Sequence, residues 1–314
     1  MKNFGHGIPV TVLSGYLGAG KTTMINHLLR NANGQKLAVL VNEFGDLPID
    51  EDLIEASDDE VISIAGGCIC CSFGSDLSAA LLQLDAMNRS LDHILIEASG
   101  VARPEAIMGS VGLVNGVSPD GIVILVDAET IQKAARDKYM SDTILAQLQA
   151  ADLLILNKVD LVTKDQAGVI STWLASLNEN APIIPVTHSK VAPDIVLGHF
   201  IQRVYAKGAH QDVGGLSTLT LLPKHNIDVN ELAQTLAKDY PNIVRAKGFA
   251  TNKSGQKILI QVVGSRFDAS IVSKDLPDGI VCLGLGETLR MQHFKRLFHL
   301  LKLNEASQKL EFDI

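Results

Sequence analysis

The chain has 314 residues, 46% of them hydrophobic and 20% charged, with 27 Lys+Arg against 35 Asp+Glu for a formal net charge of −8. That acidic balance argues against nucleic-acid binding through a basic face and against attachment to anionic membranes, and the 4% aromatic content gives little surface for base stacking. The length favours two domains with substantial cores.

No segment reaches the roughly 18 uninterrupted apolar residues of a membrane span. The opening stretch Met1–Gly7 lacks the apolar h-region of a secretory leader. A cytoplasmic protein with no nucleic-acid or membrane partner is expected.

Apolar runs alternate with helical stretches from the start. Pro9–Leu13 reads as a buried strand, followed by a glycine-rich turn and a helix over Thr22–Leu29. Leu37–Val41 and Val61–Ile64 read as strands and Leu77–Leu84 as a helix. His93–Ile96, Gly121–Val126 and Leu153–Leu156 are near-continuous apolar runs, typical of strands covered on both faces of a parallel sheet. Helices are expected around 130–150 and 163–178, and a last strand over Pro182–Val186. This β–α alternation predicts a doubly wound α/β domain.

The pattern lapses over 206–215, which reads as a linker. Beyond it Ser217–Leu222, Ile243–Ala250, Lys257–Val263 and Val281–Leu283 read as strands, Val229–Lys238 as a helix and Glu287–Leu303 as a closing helix. The expected organisation is a domain over 1–208 and a smaller α+β domain over 216–314.

Gly15-Tyr16-Leu17-Gly18-Ala19-Gly20-Lys21-Thr22 has the P-loop spacing between a strand and a helix. Glycines let backbone N–H groups wrap phosphates, and the helix N-terminus adds its dipole. Lys21 would reach the β/γ oxygens and the Thr22 hydroxyl would bind Mg²⁺. Gly15, Gly18, Ala19, Gly20 and Thr23 complete the phosphate cradle. Asn157-Lys158-Val159-Asp160 follows a strand, where the Asp160 carboxylate would accept from N1–H and the 2-amino group of guanine. Adenine offers neither donor, so GTP/GDP is favoured over adenine nucleotides. Asn157 would brace the loop and the Lys158 stem would cover the base. Glu97 ends its strand beside the P-loop strand, where a Mg²⁺-bound water needs an acceptor. Gly100 would let the backbone approach the γ-phosphate. His188 follows the last strand, where a loop can pack on the guanine, although a solvent-facing histidine fits as well.

Three of the 4 cysteines, Cys68, Cys70 and Cys71, fall within four positions. Thiolates are soft ligands that select zinc, copper(I) and related metals. In a reducing compartment such crowding points to metal or redox chemistry before disulfides. No second ligand pair of zinc-knuckle spacing follows, so the trio leaves a coordination position for a carboxylate, a histidine, a water or a partner. Gly66-Gly67 gives the backbone freedom to turn all three inward.

With these residues together the sequence resembles the CobW-type metallochaperone GTPases, relatives of UreG, HypB and MeaB in the SIMIBI class. The carrying residues are Gly15–Thr23, Asn42-Glu43-Phe44-Gly45-Asp46, Gly66–Cys71, Glu97–Gly100 and Asn157–Asp160, with Arg245–Gly248 and Gly284-Leu285-Gly286 similar to the family's C-terminal module. The resemblance implies a P-loop NTPase sheet and slow GTP hydrolysis in which Lys21 and Glu97 serve catalysis. It assigns a transition metal, zinc before cobalt or nickel, to Cys68, Cys70 and Cys71. Asp46 stands where the family carries glutamate and is a further candidate ligand. The implied partner is a client metalloprotein or cofactor-dependent enzyme, and a homodimer is left open. The chain departs from the family in lacking a histidine-rich segment, in carrying Arg103 after the Glu-x-x-Gly stretch, and in carrying Val41 where some members place a glutamate. An alternative reading keeps the GTPase but makes the cysteines structural and the task the gating of cofactor loading, such as cobalamin, into a client.

Overall fold

The structure, a computed structural model, describes residues 7–32, 34–41, 61–63, 75–86, 91–197, 216–272, 277–285, 289 and 291–302. The chain divides into two compact units, Met1–Leu197 and Gly198–Ile314. The linker expected over 206–215 lies outside the described residues.

The first unit is built on a 7-stranded sheet. Its strands are β1 (Ile8–Ser14), β2 (Leu37–Val41), β3 (Val61–Ser63), β4 (His93–Glu97), β5 (Val117–Asp127), β6 (Leu153–Asn157) and β7 (Ile183–Pro185). They run in the order β3-β2-β4-β1-β5-β6-β7, every pair parallel. The apolar runs of β2, β4 and β6 are buried at every position, as two-sided cover by helices demands.

The helices are α1 (Lys21–Arg30), α2 (Ser75–Ala86), α3 (Pro104–Val111), α4 (Ile131–Ala134), α5 (Ser141–Ala150), α6 (Lys164–Leu177) and α7 (Pro193–Leu197). The helical stretch expected around 130–150 consists of two helices, α4 and α5. The short α3 went unforeseen, although Pro104 at its first turn is a start signal. α6 opens on a capping box in which Thr163 and Gln166 bond each other's backbone N–H. Trp173 on α6 packs half-buried against the core. Among the described residues no helix is long and apolar enough to cross a membrane.

One buried polar cluster crosses the sheet centre. The Thr11 hydroxyl donates to Asp120 Oδ2 at 2.8 Å, and its oxygen lies 2.8 Å from His93 Nε2. A hydroxyl that gives its proton to a carboxylate accepts from the histidine, so Nε2 carries hydrogen. The three side chains come from the adjacent strands β1, β5 and β4, so strand order alone assembles them.

The second unit holds a 5-stranded antiparallel sheet ordered β11-β10-β9-β12-β8. Its strands are β8 (Leu216–Leu221), β9 (Ile243–Thr251), β10 (Lys257–Val263), β11 (Arg266–Ile271) and β12 (Gly279–Leu285). Helix α8 (Val229–Lys238) lies on this sheet, and the side chain of its N-cap Asp228 accepts from the Glu231 N–H. Arg245–Gly248 sits in β9, and Gly284 and Leu285 end β12. The edge strand β11 was not anticipated, because only Phe267 and Ala269 among its half-exposed residues join the core.

The expected closing helix over Glu287–Leu303 is corrected. Its described part is a 3₁₀ helix over Met291–Leu297 with a kink at Phe294. Phe294, Leu297 and Leu300 are all buried at 5% exposure or less, and their spacing of three matches a 3₁₀ repeat better than an α-helical one.

Candidate functional site

β1 lies at the centre of its sheet, between β4 and β5, while its successor β2 lies beyond β4. Connections leave to opposite sides there, and the carboxyl ends of such strands form a ligand crevice. The P-loop fills that place. Gly15 and Gly20 have φ of 140° and 104°, backbone that side-chain-bearing residues avoid. A Cβ on Gly15 would stand 2.3 Å from Leu125 O, and one on Gly20 would stand 2.5 Å from Ser189 Oγ and 2.6 Å from Asn157 Nδ2. The Lys21 ammonium reaches back over the loop to Gly15 O at 3.0 Å. α1 has no side-chain cap and no acidic residue in its own first turn, so no side chain of the helix itself competes for its N-terminal dipole.

Parallel pairing places Leu13 opposite Glu97, which sets the carboxylate beside the start of α1. The Thr22 hydroxyl donates to Glu97 Oε1 at 3.2 Å. Glu97 is 4% exposed, so it is no solvent-facing strand end. Ser14 Oγ, at the end of β1, and Ser99 Oγ, two residues past the end of β4, are buried with no hydrogen-bond partner among the described residues. This is a set of hard oxygens, the donor chemistry that suits Mg²⁺ rather than a soft metal. The loop after β4 is held from α5, where Gln147 Nε2 donates to Gly100 O at 3.2 Å and Ala102 O at 2.9 Å. Arg103 is the extended residue ahead of α3 and is exposed.

Asn157 ends β6 and turns inward, 2% exposed. Its side-chain amide donates to Ala19 O at 2.9 Å and to Ser189 Oγ at 2.8 Å, while its Oδ1 accepts from the Ser189 N–H at 2.8 Å. Ser189 Oγ donates on to Gly20 O at 3.0 Å. The loop expected to read the base is thereby tied to the loop expected to hold phosphate. Lys158 follows with its ammonium 2.7 Å from Asp127 Oδ2. Asp160 stands exposed in a 3₁₀ turn over Val159–Leu161. His188 is exposed and Ser189 buried, and both have left-handed backbones at φ 52° and 55°. Sequence reasoning named His188 and passed over Ser189, Asp127 and Gln147. A serine beside the named histidine was the one local signal available.

The family profile described as the CobW/HypB/UreG nucleotide-binding domain matches residues 9–185, more than half of the chain. The chain belongs to the CobW/HypB/UreG family. It is similar to a zinc chaperone CobW from Sinorhizobium sp, 29% identical over 308 residues, covering 83% of this chain and 86% of the relative. It is also similar to the zinc chaperone YjiA of Escherichia coli, 37% identical over 194 residues, covering 59% of each chain. A crystal structure of Zn(II)-bound YjiA GTPase from E. coli aligns over 95% of this chain and 100% of that one, at 23% identity and a TM-score of 0.47.

In this CobW/HypB/UreG-family chain, Gly15, Gly18, Ala19, Gly20, Lys21, Thr22, Thr23, Glu97, Gly100, Asn157, Lys158, Asp160 and His188 all lie on loops or element ends of the first unit. Cys68, Cys70, Cys71 and Asp46, with the Asn42–Gly45 run, lie outside the described residues. Among the described residues no three His, Cys, Asp or Glu side chains gather as metal ligands. Cys282 lies apart from that trio in sequence, buried in β12, where burial pushes its thiol pKa up, as befits a core residue.

Proposed function

We propose that this protein hydrolyses GTP to GDP and phosphate and couples that cycle to carrying a divalent transition metal, zinc foremost, to a client metalloprotein. The observation that carries the GTPase half is the junction at Asn157, where one side chain holds Ala19 O of the P-loop and the Ser189 loop together. Base and phosphate contacts would share that junction. The metal half is supported by Cys68, Cys70 and Cys71 and by relatives named zinc chaperones.

The residues divide the work by their chemistry. P-loop amides and the α1 N-terminus would hold the phosphates, and Lys21 would exchange Gly15 O for a phosphate oxygen. Asp160 would accept from the guanine edge. Thr22 and Glu97 would hold Mg²⁺, which when bound neutralises charge between the β- and γ-phosphates. Water attacks the γ-phosphorus, the bond to the β,γ-bridging oxygen breaks, and GDP leaves with that oxygen. No glutamine accompanies the Glu97–Gly100 stretch, so slow turnover is expected. Residues 1–208 would form the GTPase domain and 216–314 the accessory domain of a cytoplasmic protein.

The test is phosphate release with GTP and Mg²⁺, with and without added zinc, cobalt or nickel. A Cys68→Ala/Cys70→Ala/Cys71→Ala variant should lose tight metal binding and any metal response while keeping basal hydrolysis. Undiminished metal binding in that variant would remove the cysteines from the proposal. No hydrolysis in single-turnover conditions would remove the enzyme.

A further inference from the structure

Lys158 has φ 60° and ψ 33°, a left-handed conformation that non-glycine residues seldom adopt. The surrounding bonds hold it there. Val159 N–H donates to Val186 O at 3.4 Å, and Leu161 N–H donates to Lys158 O at 3.0 Å. The side chain is fixed at its far end by Asp127, 2.7 Å away.

Asp127 is itself locked before the lysine arrives. It is the register partner of Asn157 across β5 and β6. Its Oδ1 accepts from the Glu129 N–H at 2.9 Å, and its carbonyl accepts from the Thr130 N–H at 3.3 Å. Only Oδ2 is left to meet the ammonium. The side chains are 10% and 32% exposed, so the carboxylate is sheltered while the lysine borders solvent. Exposed ion pairs contribute little because two long side chains must be ordered together. Here the short partner is already ordered, and only the lysine pays that entropy. Its four methylenes are therefore strung between the ends of two neighbouring strands.

We infer that Asp127 is a positioning residue for the nucleotide base. By holding the Lys158 ammonium it sets the lysine stem as a fixed apolar ledge for the face of a purine whose edge meets Asp160. The inference rests on the GTPase reading above. A ring face carries no information about the 2-amino group, whereas the edge does. Asp127 thus governs affinity for guanine and hypoxanthine nucleotides alike, and Asp160 governs the choice between them.

The test uses the full chain and fluorescent GDP and IDP. Asp127→Ala should weaken both by the same factor, roughly tenfold, the change that about 1.4 kcal/mol produces. The GDP-to-IDP ratio should stay as in the unaltered protein, whereas Asp160→Asn should collapse that ratio. Lys158→Met keeps an apolar stem without the ammonium, and adding Asp127→Ala to it should cost nothing further. Asp127→Asn keeps the volume and an acceptor for Glu129 and carries the same prediction if the alanine variant does not fold. Unchanged affinity in the Asp127 variants, or a full-sized loss in the Lys158→Met background, overturns the inference while guanine binding stands. Failure of the unaltered protein to bind either nucleotide overturns the GTPase reading and the inference with it.

Discussion

Asn157 and Ser189 exchange two hydrogen bonds of 2.8 Å across 32 positions of sequence, and each then reaches a different carbonyl of the P-loop. The P-loop is held by polar contacts, and their removal should be visible without disturbing the core.

Ser189 offers a direct check. Its φ of 55° means that alanine keeps the backbone strain and loses the hydroxyl, whereas glycine relieves the strain and loses the same hydroxyl. Ser189→Ala should lower the unfolding free energy of the first unit by about 1–3 kcal/mol, the range for stranding buried polar partners. Ser189→Gly should be less destabilised and should weaken nucleotide binding equally. Urea unfolding and GDP titration measure the two effects. A fully stable, tight-binding Ser189→Ala protein would contradict the role of this clasp.

Glu97 should matter through its charge and not its bulk. Glu97→Gln preserves the shape and an acceptor for Thr22 but removes the negative charge from the oxygen set. Hydrolysis at saturating GTP should fall roughly 10²-fold, the scale seen when one preorganised electrostatic group is lost, and the Mg²⁺ concentration needed for half-activity should rise. Phosphate release measured across a Mg²⁺ series reads both quantities. An unaltered Mg²⁺ dependence would place the metal elsewhere.

The second unit should lose stability on the alkaline side. Burial pushes up both the Cys282 thiol and the Tyr240 phenol. Below the ordinary thiol value of about 8.5, both chain states hold these two protons and neither group adds a pH slope. Above it the unfolded chain ionises while the folded one does not, so stability falls by up to about 1.4 kcal/mol per pH unit for the thiol. Tyrosine adds a second loss above about 10. Thermal unfolding of the full chain between pH 7.5 and 10.5 should show this slope, and Cys282→Ala should flatten its first part. An identical slope in that variant would show that the thiol does not ionise on unfolding.

Long apolar runs were easily read, because strands buried on both faces need no alternation and still stand out against polar loops. β4 and β6 matched their expected starts, and each continues one residue further, to Glu97 and Asn157. Those polar ends are where the functional side chains stand. The elements that were missed had weak local signals. β11 carries Asp268 and Ser270 and, among the described residues, pairs only with β10, so its strand state comes from hydrogen bonding to a neighbour and not from its own pattern. The closing segment had enough apolar residues for an α-helix but a spacing that the sheet below it accepted as 3₁₀.

By itself the sequence determined the P-loop, the Asn157–Asp160 loop, the cysteine trio and the chain order of the first unit's strands, because each depends on residue types at short spacing. Only the tertiary structure decided that Asp127, Gln147 and Ser189 hold those loops in place. Each acts on a partner 31 to 169 positions away, through contacts that exist only once parallel strands are in register. A short motif states its chemistry locally, whereas the groups that orient it are chosen by which strand ends the sheet makes neighbours.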